Sequence, residues 1–250
     1  MFEASAAETR KPESKNQIIV ALDVATAEEA RQIIKELSGE VGAFKIGLQL
    51  FTAAGASFVR ETIAAGAKIF LDVKFHDIPN TVARAATEAA RLGVWMVNVH
   101  ALGGAEMMRK TVEAVREVCA KENLEQPKII GVTVLTSSNQ ATLREVGIET
   151  ETREEVLKLA GLAAECELDG VVASPLEIEA IRAQVEKPNF LVVTPGIRPN
   201  FATNDDQKRV MTAKDAMAAG ADYLVIGRPI LQAENRLAAV RKISEEIETA

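Results

Sequence analysis

In the segment KIFLDVKFHDIPNTV (residues 68–82), an apolar run ends in three charges, Asp72, Lys74 and Asp77. Side chains on a strand alternate faces, so Asp72 and Lys74, two positions apart, point the same way. Charges in such a place are costly unless each is paired or used. Taken alone, an Asp-x-Lys pair reads as a structural ion pair capping a strand. Here the pattern continues through Asp77 into Pro79-Asn80-Thr81, at a strand-to-helix turn, and a further lysine, Lys45, stands in Phe44-Lys45-Ile46-Gly47. Alternating lysines and carboxylates can fix one another's geometry and aim an ammonium as a general acid. A carboxylate set against an anionic substrate group also favours a step that expels that group. The combination predicts a catalytic array.

Such an array needs a frame that brings distant residues together. After residue 16 the chain alternates between short β-rich runs and longer Ala/Glu/Leu-rich segments of helical periodicity, such as 27–37 and 106–120. The runs fall at 18–23, 43–47, 68–75, 94–100, 128–136, 170–174, 190–195 and 223–227. They are continuously apolar, as expected of strands covered on both faces. Eight strand–helix units in about 230 residues predict a single-domain (β/α)8 TIM barrel of class α/β. A doubly wound open sheet is the alternative, but it needs a glycine-rich turn after the first strand, where this chain has Ala21-Leu22-Asp23-Val24-Ala25-Thr26. Residues 141–146 predict an extra helix after the fifth strand, and no Pro-, Gly- or Ser-rich linker marks a second domain.

On that frame the polar interruptions gather at one end. Asp23 ends the first strand, Lys45 sits late in the second, and Asp72 and Lys74 lie in the second half of the third. Thr136 ends the fifth, Gly196 to Arg198 follow the seventh, and Gly227 with Arg228 closes the eighth. The C-terminal strand ends of a parallel barrel share one rim, where active sites are built. The longest irregular stretch, residues 196–210, leaves the seventh strand as a lid or binding loop. Gly227-Arg228-Pro229 offers close backbone approach, a planar guanidinium and a helix start, which together predict a phosphate site shared with Arg198.

Composition narrows the function classes. The chain has 250 residues, 48% hydrophobic and 26% charged, an ordinary globular composition with enough chain for a full core. A net charge of −7 argues against a broad nucleic-acid surface while leaving room for a local basic pocket. Two cysteines without CxxC spacing, Cys119 and Cys166, predict neither zinc nor a disulfide framework and suit a reducing cytoplasm. Two histidines, His76 and His100, are too few for a histidine-rich metal cluster. No apolar stretch approaches the roughly 20 residues needed to span a bilayer. Residues 1–16 lack the apolar core of a signal peptide and read as a solvated N-terminal extension preceding a barrel domain of residues 17–250.

From Gln17 onward the chain closely resembles the orotidine 5'-phosphate decarboxylase family. The resemblance is carried by ALDV at 21–24, FKIG at 44–47, LDVKFHDIPNTV at 71–82, VLTS at 134–137, TPGIRP at 194–199 and IGRPI at 226–230. DxKxxD alone belongs to a wider superfamily; the FKIG lysine, the IPNT tail and the PGIRP loop make the match specific. The resemblance implies conversion of orotidine 5'-phosphate to UMP and CO2 in pyrimidine biosynthesis, without metal or organic cofactor. It makes Lys74 the proton donor to C6 of the pyrimidine, and puts Asp72 beside the departing carboxylate. Lys45 and Asp77 would complete the charged network. It implies a homodimer in which Asp77 and Thr81 reach the neighbouring subunit's site near the ribose hydroxyls. Asp23 would also hold the ribose, Lys45 would bind substrate as well, and Thr136 would contact the pyrimidine edge. Arg198, Gln207, Gly227 and Arg228 would bind the phosphate, with Gln207 on a closing loop.

Several residues take plainer readings. His100, at the end of the fourth strand, reads as a satisfied near-core histidine, and His76 as a structural or interface residue. Trp95 and Met96 read as packing residues, and the Glu/Lys-rich C-terminal helix as a solvated face. Two other functions stay open on the residues alone. One is a Mg2+-dependent sugar-phosphate lyase built on DxKxxD, whose members carry an acidic residue where this chain has Lys45. The other is a non-catalytic phosphate-binding scaffold.

Overall fold

The computed structural model describes residues 13–199 and 211–250. Eight parallel strands pair in chain order and close into a barrel. They are β1 (Ile18–Ala21), β2 (Ala43–Gly47), β3 (Ile69–Phe75), β4 (Met96–His100), β5 (Lys128–Val132), β6 (Gly170–Val172), β7 (Leu191–Pro195) and β8 (Tyr223–Ile226). Helices α1 (Ala27–Leu37), α2 (Leu48–Ala64), α3 (Pro79–Arg91) and α4 (Gly104–Glu122) follow the first four strands. After β5 come α5 (Gln140–Glu145) and α6 (Thr152–Glu165), and after β6 comes α7 (Ile178–Gln184). The chain finishes with α8 (Ala213–Ala218), β8, the single turn α9 (Arg228–Leu231) and α10 (Arg236–Glu248). The (β/α)8 barrel expected from the alternation is the fold, extra helix after the fifth strand included.

Local chemistry sets the element ends. Thr26 accepts the Glu29 N–H at 3.2 Å and starts α1, which carries Glu28 and Glu29 in its first turn and Lys35 in its last, as the helix dipole favours. Its Ala30, Ile33, Ile34 and Leu37 form the 3.6-residue stripe that turns onto the sheet. The fifth strand stops at Val132, short of the expected 136. Thr133 turns its hydroxyl onto the Val172 carbonyl at 2.9 Å, and the β6 partner itself ends at Val172.

The core has two shells. Alternate residues fill the barrel interior, where Ile19, Ala43, Phe70, Met96, Ile130, Val193 and Val225 pack together. The intervening residues, among them Ile18, Phe44, Ile69, Leu71, Val97 and Leu224, pack outward under the helices. Each large aliphatic buried this way contributes roughly 1.5–3 kcal/mol. Met96 is thus a core residue, and Trp95 closes the bottom of the barrel edge-on to Tyr223 at 5.1 Å.

The N-terminal end of the barrel is laced by carboxylates. Asp169, just before β6, accepts the Ile129 N–H of β5 at 2.8 Å, and Asp222, just before β8, accepts the Val192 N–H of β7 at 2.6 Å. Arg182 of α7 bridges Asp222 to the carbonyls of Gly220 and Phe190. Ser14, expected in a solvated extension, is instead buried: its hydroxyl meets Ser244 at 2.6 Å and Glu248 at 2.8 Å on α10. Residues 1–12 of the expected extension lie outside the described residues.

Candidate active site

The C-terminal rim assembles the polar residues that the sequence singled out. A cavity of about 250 Å³ opens there, with Asp23, Lys45, Asp72 and Lys74 on one side. Thr136, Gly196, Arg198, Gly227 and Arg228 continue its lining. Apolar walls come from Val132, Val134, Pro195 and Val225. A flat, partly apolar ligand with a charged tail would find both surfaces it needs.

Asp72 is the centre of the charged side. Its Oδ1 accepts the Lys74 ammonium at 2.7 Å and its Oδ2 faces Lys45 Nζ at 3.1 Å. Lys45 in turn reaches Asp23 Oδ1 at 3.3 Å. The order along the rim is therefore Asp23, Lys45, Asp72, Lys74, with alternating sign. Burial works against the Asp72 charge, but the ammonium groups of Lys45 and Lys74 and the hydrogen bonds from Lys74 and Asn98 outweigh it and hold its carboxyl below the usual range. Burial likewise works against the Lys45 charge, and Asp72 followed by Asp23 outweighs it, so Lys45 is held above the usual lysine range. Lys74 is the least buried of the central three, its side chain 31% exposed against 10% for Lys45 and 12% for Asp72. Of the two ammonium groups lining the cavity it is the more accessible.

The third strand delivers Lys74 in an unexpected way. Asp72 and Lys74 do share the inner face, but Lys74 has a φ of 51°, in the left-handed region that side chains larger than glycine rarely occupy. The β3–β4 register explains the departure. Leu71 pairs with Val97 and Phe75 with Val99, so three residues of β3 stand opposite the single residue Asn98. Asn98 fills that gap with its amide: Oδ1 accepts the Lys74 backbone N–H at 2.8 Å and Nδ2 donates to Asp72 Oδ1 at 2.7 Å. It is fully buried. The sequence reading missed Asn98, although it obeys the rule that found the others, a polar residue inside an apolar strand.

Two glycines clear the site. A Cβ on Gly47 would stand 3.0 Å from Lys45 Nζ, and one on Gly227 would stand 3.3 Å from Asp23 Oδ2. The Gly in FKIG thus leaves space for Lys45 of its own strand, and the Gly before Arg228 for Asp23 beyond the neighbouring β1. Arg198 is set by a short bridge between Ile197 and Met211, its N–H reaching the Met211 carbonyl at 2.9 Å. Gln207 lies outside the described residues.

Two expected site residues stand apart from the array within the chain. Asp77 is exposed and its carboxylate accepts the adjacent Ile78 N–H at 2.6 Å; Thr81, also exposed, sits in the first turn of α3. The segments directly after β2, β3 and β4 each expose a large aliphatic: Leu48, Ile78 and Leu102.

His100 departs from its expected reading. Its ring stacks on His76 at 5.2 Å, but its buried Nδ1 has no hydrogen-bond partner. Burial, then the charges of His76 and Lys74, push it down to about 4, so the ring is neutral near pH 7. It is an unsatisfied histidine beside the site, not the satisfied one expected.

No group of three or more His, Cys, Asp or Glu among the described residues has metal-binding spacing, and no helix among them is long and apolar enough to cross a membrane. The cation nearest each acidic group of the array is a lysine, which leaves a divalent ion little to bind there.

The orotidine 5'-phosphate decarboxylase / HUMPS family profile matches residues 16–243. An orotidine 5'-phosphate decarboxylase of Trichlorobacter lovleyi is 53% identical over 237 residues, 95% of this chain and 97% of that one. Another, from Syntrophotalea carbinolica, is 51% identical over 238 residues with the same coverage. Among solved structures, the orotidine 5'-phosphate decarboxylase of Lactobacillus acidophilus superposes with a TM-score of 0.81 at 36% identity, covering 92% of this chain and 98% of that one.

Proposed function

The chain belongs to the orotidine 5'-phosphate decarboxylase / HUMPS family, and from that premise we propose that it is a carboxy-lyase converting orotidine 5'-phosphate to UMP and CO2 in pyrimidine biosynthesis. The observation that carries the reading is the Lys45–Asp72–Lys74 contact, two ammonium groups clamped on one buried carboxylate beside an open cavity. A sugar-phosphate lyase that needs a divalent ion would want a free carboxylate there. Asp72 instead faces lysine on both oxygens, which supports a reaction run by side chains alone.

The substrate phosphate lies between Arg198 and Arg228, near Gly227, with Gln207 on the segment that follows. Because α9 is one turn long, the guanidinium groups rather than a helix dipole carry the phosphate charge. Asp23 holds the ribose, Lys45 contacts the substrate from its place beside Asp72, and Thr136 meets the edge of the pyrimidine. This places the substrate carboxylate toward Asp72 and C6 toward Lys74. As the C6–carboxylate bond breaks, its electron pair stays on C6 and CO2 leaves. The Lys74 ammonium stabilises that developing carbanion and passes it a proton, then regains one from solvent. Phosphate binding far from C6 supplies energy for closing the site and excluding water.

The active unit is a homodimer. Asp77 and Thr81 are exposed and line no part of their own chain's cavity, and the segments after β2, β3 and β4 expose Leu48, Ile78 and Leu102, which supports residues meant for a neighbour's site. Two variants that are inactive alone, Lys74→Ala and Asp77→Ala, complement one another in a mixed dimer, because one of its two sites keeps both residues. An equimolar, re-equilibrated mixture then recovers about a quarter of wild-type activity. No recovery despite subunit exchange counts against a shared site.

The decisive experiment follows orotidine 5'-phosphate absorbance with purified protein in EDTA beside Lys74→Ala. Rapid UMP formation by wild type alone supports both reaction and donor. Wild-type protein that binds UMP without turnover defeats the enzymatic reading, and activity only after Mg2+ addition defeats the metal-free one.

A further inference from the structure

We propose that Asn98 is a positioning residue for this reaction: its amide replaces the missing rungs of the β3–β4 ladder and thereby fixes Lys74 and Asp72 relative to one another. The inference rests on the function proposed above.

Where β3 bulges, the Lys74 N–H has lost its regular strand partner, and a buried N–H without one is costly. Asn98 Oδ1 takes that hydrogen, 2.8 Å away, and so holds the backbone in the left-handed conformation that aims the Lys74 side chain into the cavity. The same amide donates from Nδ2 to Asp72 Oδ1, the oxygen that also receives the Lys74 ammonium. The amide orientation is dictated by its partners, since an N–H can only donate and a carboxylate can only accept. One rigid planar group therefore sets the lysine's backbone and the carboxylate's rotation at once. A non-glycine residue held in the left-handed region persists there only when its surroundings overdetermine it, and Asn98 is the group that does so here. Apolar neighbours hold Asn98 itself: Val97 and Val99 are fully buried on the other face of β4, and Met96 lies on its own face.

Asn98 touches the reacting atoms only through Asp72 and Lys74, so its loss should appear in the chemical step. In Asn98→Ala, kcat falls on the order of 10²-fold, as a misplacement of about 1 Å does, while KM and the Kd for UMP stay within about threefold. A crystal structure of the variant then shows Lys74 out of the left-handed region or its ammonium beyond hydrogen-bond reach of Asp72. Asn98→Asp keeps the acceptor for the Lys74 N–H but sets a second carboxylate oxygen against Asp72. It loses at least as much kcat and carries the test should the alanine variant not fold. A kcat within about twofold of wild type in a folded variant overturns the proposal, as does equal loss of kcat and UMP affinity. Unchanged Lys74 and Asp72 geometry in the crystal overturns it as well. If wild-type protein does not decarboxylate orotidine 5'-phosphate, the function has failed instead, and the crystallographic comparison still judges Asn98.

Discussion

At the N-terminal end of the barrel, Asp169 and Asp222 accept backbone N–H groups of Ile129 and Val192, and Arg182 joins Asp222 to two backbone carbonyls. At the C-terminal end, Asp72 meets the side chains of Lys45, Lys74 and Asn98. The residue types are alike and the uses differ. A carboxylate bound to main chain locks the register of two strands. A carboxylate bound to side chains fixes nothing but those side chains, and its cost is recovered only when a ligand uses the field they create. Stability and catalysis are thus separated along the barrel axis.

The separation can be broken by experiment. Lys74→Ala carries the largest effect: turnover falls by roughly 10³-fold or more while the melting temperature stays close to wild type, measured by absorbance assay and calorimetry. A melting temperature that collapses along with activity would show that the rim is structural after all. Arg228→Ala, on the phosphate side, lowers kcat/KM by roughly 10- to 100-fold, the worth of one charge-assisted contact, with a rise in KM. An unchanged kcat/KM would remove Arg228 from the phosphate site.

The other end gives the converse. Asp222→Ala removes the acceptor for Val192 N–H and the partner of Arg182, and costs about 1–3 kcal/mol in denaturant unfolding. Its kcat, corrected for folded fraction, stays at the wild-type value; a selective loss of kcat would join the two rims.

His100 supplies the smallest and most specific effect. Its folded value, about 4, lies below the ordinary histidine value near 6.5, so between the two the unfolded chain binds more protons. The contribution is complete above about pH 6.5 and is lost as pH falls toward 4. Asp72, held below the usual carboxyl range, adds a loss only at still lower pH, as its carboxylate protonates. His100→Phe therefore flattens the melting temperature between pH 6.5 and 4 and leaves the more acid limb in place. An unchanged slope in that window would show that His100 does not titrate as its surroundings dictate.

Much of this was legible in one dimension. Continuous apolar runs separated by amphipathic helices specify a parallel barrel, because strands buried on both faces have no solvent side to mark. The same logic found Asp23, Lys45, Asp72 and Lys74, since a charge at the end of such a run must be paired or used, and all four do meet at the rim. Strand period 2 correctly put Asp72 and Lys74 on one face.

The remainder depended on pairing between segments far apart in the chain. Period 2 cannot reveal that three residues of β3 stand against one of β4, because the bulge exists only once Leu71 has met Val97 and Phe75 has met Val99. The left-handed Lys74 and the use of Asn98 follow from that pairing, and the unpartnered Nδ1 of His100 from the packing around its ring. The amino-acid sequence determined which residues carry charge and which end of the barrel receives them, because those follow from local periodicity and the direction of the strands. Tertiary structure decided how they are aimed, because an aim depends on register, and register is set by what the neighbouring strand presents.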